Sequence, residues 1–229
     1  MRSRPSSLPT SSTGRKMRCA RLPRKDRPVR PRRNPDEDSE FSPWESKKDN
    51  TWLTDTPMRS DQRITFSPYP IHKFLDKRNR LQTSGKPTGL WYACGDEWLD
   101  FLRYDMPTWM DDVNYVYEVM IGPKERWGSR GSAPVLQIKT MGEIRAFTAQ
   151  YGECEKDRWS PSQVRCWDIR WQDVADDFPG GIDICPYLSD ARSLGYTSWY
   201  YGWDVASGCL WGPTGFRGLR LLSKRPGSE

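Results

Sequence analysis

From about residue 61 onward, short apolar runs are separated by polar turns, and each run predicts an element. RITF (63–66) has the length and β-branched content of a strand. In IHKFLDKRNRL (71–81), Ile71, Phe74, Leu75 and Leu81 recur at helical spacing, which predicts a helix burying one face. GLWYAC (89–94) reads as a buried strand, and Asp96 is placed to cap a helix that turns Trp98, Leu99, Phe101 and Leu102 inward. YVYEVMI (115–121) and VLQIK (135–139) are further strands. Thr140 and Glu143 stand at capping-box spacing, so a helix is predicted to about Tyr151, with Ile144, Phe147 and Tyr151 buried. After a turn-rich gap, VRCWDIRW (164–171) leads into a short helical piece through Val174, and GGIDICPY (180–187) is a strand. SWYYGWD (198–204) and CLW (209–211) then read as two strands joined by the turn VASG.

Strands and helices interleave without strict βαβ alternation, which predicts an α+β fold. The expected architecture is one compact domain over 61–229, with a mixed or split antiparallel sheet and a few short helices. A body of that size can bury an adequate core, and no repeat with a period of tens of residues is evident.

Composition changes the picture at the N-terminus. The hydrophobic fraction of 35% and mean hydropathy of −0.86 are low for a chain folded throughout. Residues 1–33 hold twelve Lys or Arg and the single acid Asp26, a net +11, so the chain's +6 leaves −5 for residues 34–229. The basic character belongs to this segment, and a disordered basic tail over 1–60 is expected, mixed in charge after residue 33. Arg15, Lys16, Arg18, Arg30, Arg32 and Arg33 would attract nucleic acid or another anionic surface through counterion release. A solvated segment that binds nothing, and a transit peptide, are the alternatives; repeated proline argues against the second. Trp44 and Trp52 would anchor the strap 34–60 on the body or on a partner. No apolar run is long enough to span a bilayer and no signal-peptide core is present, so a soluble intracellular protein, of cytoplasm or nucleus, is expected.

The same composition excludes familiar chemistries. His72 is the only histidine, the six cysteines form no C-x-x-C, and Walker, Rossmann and H-E-x-x-H signatures are missing. No metal is expected. Reduced, buried thiols are the default for Cys94, Cys185 and Cys209, whereas Cys154 and Cys166 flank a loop and could pair. Two patches remain as candidate sites. SGKPTGLWYACGDEW (84–98) offers Lys86, Trp91 and Tyr92 ahead of a strand-to-helix turn, the alternative being that Trp91 is core and Asp96 only a cap. WYYGWDVASGCLWG (199–212), with PGGIDICPYLSDAR (179–192), offers Asp183 and Asp204, carboxylates among apolar neighbours that need a partner such as Arg192 or Lys86. Strand alternation would put Trp199, Tyr201 and Trp203 on one face as core, and Tyr200 beside bare Gly202 on the other as a ligand wall.

The ordered blocks KPTGLWYACGDEW, WQDVADDFPGGIDICPY and WYYGWDVASGCLWG resemble a group of phage and large-DNA-virus proteins with K-P-x-G-L-W-[FY] and W-D-x-x-S-G-C-[IL]-W motifs, over roughly residues 62–212. Their order is similar to that in ADP-ribosyltransferase-like domains. The resemblance implies a split sheet gripping NAD, with Lys86 or Arg192 at phosphate, Trp91 and Tyr92 stacked on a ring, and Asp204 stabilising an oxocarbenium ion. The chain departs from that pattern where Tyr92 and Ala93 replace the usual His or Arg, and where GCLWG lacks the late Glu. Three functions therefore fit these residues: a nucleotide-handling transferase, a non-catalytic module holding nucleic acid or protein and tethered by the basic arm, and a virion-associated component whose aromatics are all core.

Overall fold

The computed structural model describes residues 51–54, 58–78, 85–128, 133–158, 160 and 162–228. The basic arm, with Arg15, Lys16, Arg18, Arg30, Arg32 and Arg33, lies outside the described residues, as does Trp44.

The fold is α+β, built on a mixed, mostly antiparallel sheet of eight strands in the order β10-β3-β1-β2-β9-β8-β5-β4. Its strands are β1 (Arg63–Ser67), β2 (Leu90–Cys94), β3 (Tyr115–Ile121), β4 (Lys124–Arg126), β5 (Val135–Ile138), β8 (Gly181–Ile184), β9 (Ser207–Leu210) and β10 (Phe216–Lys224). Pairing is antiparallel from β10 to β8 and parallel across β8, β5 and β4. A separate hairpin pairs β6 (Gly152–Lys156) with β7 (Val164–Ile169). Among the described residues no helix is long and apolar enough to cross a membrane.

Local chemistry accounts for several elements. Helix α3 (Met141–Tyr151) starts at a complete capping box: Thr140 Oγ1 accepts from the Glu143 N–H, and the Glu143 carboxylate accepts from the Thr140 N–H. It buries Ile144, Phe147 and Tyr151 as its periodicity predicts. VRCWDIRW divides into β7 and the start of α4 (Trp171–Asp177). In α2 (Glu97–Tyr104), Leu99 and Leu102 are buried while Trp98 and Phe101 stay partly exposed. Asp96 holds the N-cap position, yet its side chain makes no capping hydrogen bond.

The period-2 pattern of the sheet segregates two faces. On one, Leu136, Ile138, Ile182 and Ile184 meet α3, α4 and α5 (Ser189–Arg192) in a core where Trp171, Trp203 and Trp211 are fully buried. Further along, Ile64 and Val116 pack with Leu99, Leu102 and Leu53, the last from the short helix α1 (Thr51–Thr54). Trp52 packs against this cluster beneath the Arg225 guanidinium, 5.6 Å from the ring centroid, so this part of the strap docks on the body. On the opposite face, Tyr92, Val119, Val135 and Leu210 form a smaller cluster closed by Phe74 and Phe216, whose rings stack at 4.7 Å.

Two predicted elements are corrected. Residues 71–78 form no helix. The Ile71 N–H donates to the Tyr117 hydroxyl (3.2 Å) and the Lys77 N–H to the Trp211 carbonyl (2.8 Å), so the backbone spends its donors on distant partners while Phe74 closes the small cluster. His72 lies exposed in this segment, and Leu81 is outside the described residues. SWYYGWD is likewise not a strand: Gly195–Gly202 turns as a 3-10 helix. Trp199, Tyr200 and Trp203 are buried at i, i+1 and i+4, one side of a helical turn, whereas Tyr201 is 65% exposed. Tyr200 is therefore core, its hydroxyl accepting from the Leu188 N–H, and the predicted ligand wall is instead Tyr201.

The thiols also depart from expectation. Cys94 and Cys185 are joined in a disulfide between the end of β2 and the segment after β8, with Cα atoms 6.5 Å apart. Both stand at the ends of nearby strands of one sheet, which a reading of separate apolar runs could not register. Cys154 and Cys166 also pair, directly across β6 and β7, and Cys209 is a buried free thiol.

Candidate functional site

Successive residues of β2 point to opposite faces, so the side chains of Trp91 and Tyr92 have different surroundings. Tyr92 is fully buried and does not stack on a ligand ring. Its hydroxyl donates to Asp183 Oδ1 at 3.0 Å, crossing β9 at Gly208, where an added Cβ would lie 2.4 Å from the Tyr92 oxygen. Asp183, also fully buried, has neither Arg192 nor Lys86 as its partner. Arg63 grips it bidentately (2.8 and 3.2 Å), and Lys124 Nζ and Gln137 Nε2 each donate to Oδ2 at 3.1 Å. Burial pushes the Asp183 carboxyl up, but the Arg63 hydrogen bonds and charge, with Lys124 and Gln137, outweigh it and hold the group below the usual carboxylate range. Burial and the Asp183 charge keep the Tyr92 phenol protonated. Every oxygen of this carboxylate is engaged, so the network ties strands together and has no capacity left for a substrate.

The Cys94 and Cys185 sulfurs and the Asp183 carboxylate lie within 4.8 Å of one another, a convergence that sequence spacing did not reveal. The sulfurs are bonded to each other and two cations neutralise the carboxylate, so this donor set does not fit a metal ion.

On the opposite face the structure brings Lys86, Trp91, Arg192 and Asp204 together. Trp91 is half-buried, its indole N–H donating to the Pro87 carbonyl (3.2 Å) and its ring meeting Trp203 edge-on at 4.9 Å. Lys86 Nζ sits 5.2 Å from the Trp91 centroid. The turn before Lys86 is held in place where the Gly85 N–H, at φ +88°, donates to the Asp168 carboxylate of β7 (3.3 Å). Burial lowers the Lys86 pKa, with Asp204 opposing and Arg192 adding to that effect. Asp204 is not buried: its side chain is 38% exposed and accepts from Arg192 Nη2 at 3.1 Å. The Arg192 guanidinium lies 4.8 Å from the Tyr201 centroid.

These residues line two concavities that meet at Lys86. One, of about 370 Å³, is lined by Trp91, Trp98, Phe101, Trp109, Asp204 and Ser207 among others, so the blocks KPTGLWYACGDEW and WYYGWDVASGCLWG converge there. The other, of about 640 Å³, takes Lys86, Arg192 and Tyr201 together with Arg165 and Trp167 of β7. Sequence reasoning missed Arg165, Trp167, Tyr201 and Trp109. The signal for the first two was an alternation in VRCWDI that sends Arg165 and Trp167 to the face opposite Cys166, and 53% of Trp167 is exposed. Comparison of the chain with protein-family models, curated proteins and solved structures found no match.

Proposed function

We propose that this domain binds a nucleotide, a phosphate linked through a sugar to a planar base, in the cleft around Lys86. The observation that carries the reading is the lining of the larger concavity: three cations, Lys86, Arg165 and Arg192, two exposed rings, Trp167 and Tyr201, and no carboxylate among the described residues, the two arginines being ion-paired with Asp157 and Asp204 beyond its edge. Guanidinium and ammonium groups meet phosphate oxygens through charge-assisted hydrogen bonds. The exposed rings offer faces on which a base or nicotinamide stacks, and the Ser193 and Ser198 hydroxyls add polar contacts along the wall. NAD, with its pyrophosphate and two rings, is the candidate cofactor.

A thermal-shift titration of the full chain with ADP, NAD and ribose 5-phosphate tests this. ADP and NAD should each raise the melting temperature dose-dependently, by the equivalent of about 2.7 kcal/mol at 100 times the dissociation constant. Ribose 5-phosphate, which lacks the ring, should act only at far higher concentration. A flat response to both nucleotides overturns the reading.

The accessible Asp204 carboxylate, in the concavity adjoining the cations, favours a second, catalytic version of the same site. Here the ADP-ribosyl unit of NAD lies along the cleft, and Asp204 stabilises positive charge developing on the ribose as the C1′–nicotinamide bond breaks and a water molecule adds to C1′, giving ADP-ribose, nicotinamide and a proton. Nicotinamide release from NAD, abolished in Asp204→Asn with ADP binding retained, would support it. No release by the unmodified chain would leave binding alone.

A further inference from the structure

We infer that the cleft is the middle of a longer track for single-stranded nucleic acid, an extension that rests on the nucleotide-binding reading above. Three concavities follow one another along this surface. The central one shares Lys86 with the aromatic concavity on one side, and shares Arg165 and Trp167 with a third on the other, of about 430 Å³. A pocket for one small molecule is closed, burying most of its ligand. Here the rings remain accessible, Trp109 at 54%, Trp167 at 53% and Tyr201 at 65%, and the central space continues at both ends.

A ring and a cation recur together three times along this path: Arg165 lies 5.4 Å from the Trp167 centroid, Arg192 4.8 Å from Tyr201, and Lys86 5.2 Å from Trp91. A repeating pair in the protein matches a repeating pair in the ligand, and the polymer whose unit is one phosphate and one flat ring is a nucleic acid strand. The distribution of charge sets how it lies. Arg165 is ion-paired with Asp157 and Arg192 with Asp204, acids that line the outer concavities together with Glu155, whereas the lining of the central one has no carboxylate among the described residues. Phosphates therefore follow the centre and bases turn onto the rings at either side. Only an unpaired strand presents base faces for this, so a duplex is disfavoured. One base per ring and cation gives a span of about three nucleotides, just under the smallest single-strand sites of about four.

Fluorescence anisotropy on the full chain, at fixed salt, with oligothymidylates and oligouridylates of one to eight nucleotides and the matching eight-pair duplex, tests this. Affinity should climb to about three or four nucleotides and then level, with the duplex weaker. A preference for the DNA or the RNA series names the sugar, and either supports the track. Trp109→Ala, outside the central concavity, should weaken oligonucleotides about tenfold and ADP far less, with the melting temperature confirming an intact fold. Two results overturn the track while leaving the nucleotide reading in place: ADP binding with no gain in affinity along the series, or oligonucleotide binding untouched by both Trp109→Ala and Trp167→Ala and equalled by the duplex, which would assign it to the N-terminal cations. Failure of ADP and oligonucleotides alike removes the nucleotide reading itself.

Discussion

Two arginine–aspartate pairs lie on opposite faces of the same sheet, and they show how environment decides what one chemistry is used for. Arg63 and Asp183 are 120 positions apart in sequence and buried together, while Arg192 and Asp204 are 12 apart and each more than a third exposed. Arg63, Tyr92, Asp183, Gln137 and Lys124 come from β1, β2, β8, β5 and β4, so the buried carboxylate fixes five strands at once. Its charge is fully spent on that task. The exposed pair contributes little to stability, since water competes for both partners. It instead holds a guanidinium against Tyr201 at the mouth of a cleft, where an arriving anion can take over from Asp204.

The contrast is broken most sharply by Asp183→Asn, which strands Arg63 and Lys124 beside a neutral amide. The expected loss is roughly 3–5 kcal/mol in urea unfolding, and a loss under about 1 kcal/mol would erase the distinction between the pairs. Acid titration probes the same group. Because the folded pKa of Asp183 is depressed, its contribution is complete above the ordinary carboxylate range and is lost as pH falls through the lower folded value. Stability measured against pH should therefore drop on the acid side, and the Asp183→Asn chain should lose that part of the slope. Gly208→Ala is the next largest, since the added methyl group would collide with the Tyr92 hydroxyl and the Ile182 carbonyl. A cost of about 1–3 kcal/mol or more is expected, read as a lowered urea midpoint. Asp204→Asn sits at the other end. It should move stability by less than about 1 kcal/mol, while ADP affinity rises severalfold because Arg192 no longer shares its hydrogen bonds with a carboxylate. A fall in ADP affinity would show Asp204 to be a ligand contact and not a competitor.

What sequence patterns predicted correctly here was mostly local. The capping box at Thr140 and Glu143 is complete within four residues, and helix α3 follows from it. Ile182, Asp183 and Ile184 alternate as a strand must, but the partner that makes Asp183 tolerable is Arg63 on β1, and no local pattern points there. SWYYGWD misled because aromatic residues favour strands on average, whereas burial at positions 199, 200 and 203 has the spacing of a helical turn. The segment 71–78 misled in the opposite sense: Phe74 is partly covered by the Phe216 ring, not by a helical neighbour. Lys86, Trp91, Arg192 and Asp204 do lie near one another, drawn from the stretches 84–98, 179–192 and 199–212. Arg165 and Trp167 complete the cleft from a hairpin that had no distinguishing composition, and only tertiary structure carries them there.

The Asp168 carboxylate that receives the Gly85 N–H joins points 83 positions apart, and the cleft draws on β7, the turn before β2 and the 3-10 turn before β9. Closing loops of this length is entropically slow and comes after local contacts have formed. Helix α3 and the β6–β7 hairpin can therefore assemble early, but the cleft comes into being only when the last long-range contacts close. Cleavage between residues 86 and 165 followed by separation of the fragments would part Gly85 and Lys86 from the rest of the lining, and a chain emerging during synthesis would not close this concavity until the 3-10 turn before β9 has been made.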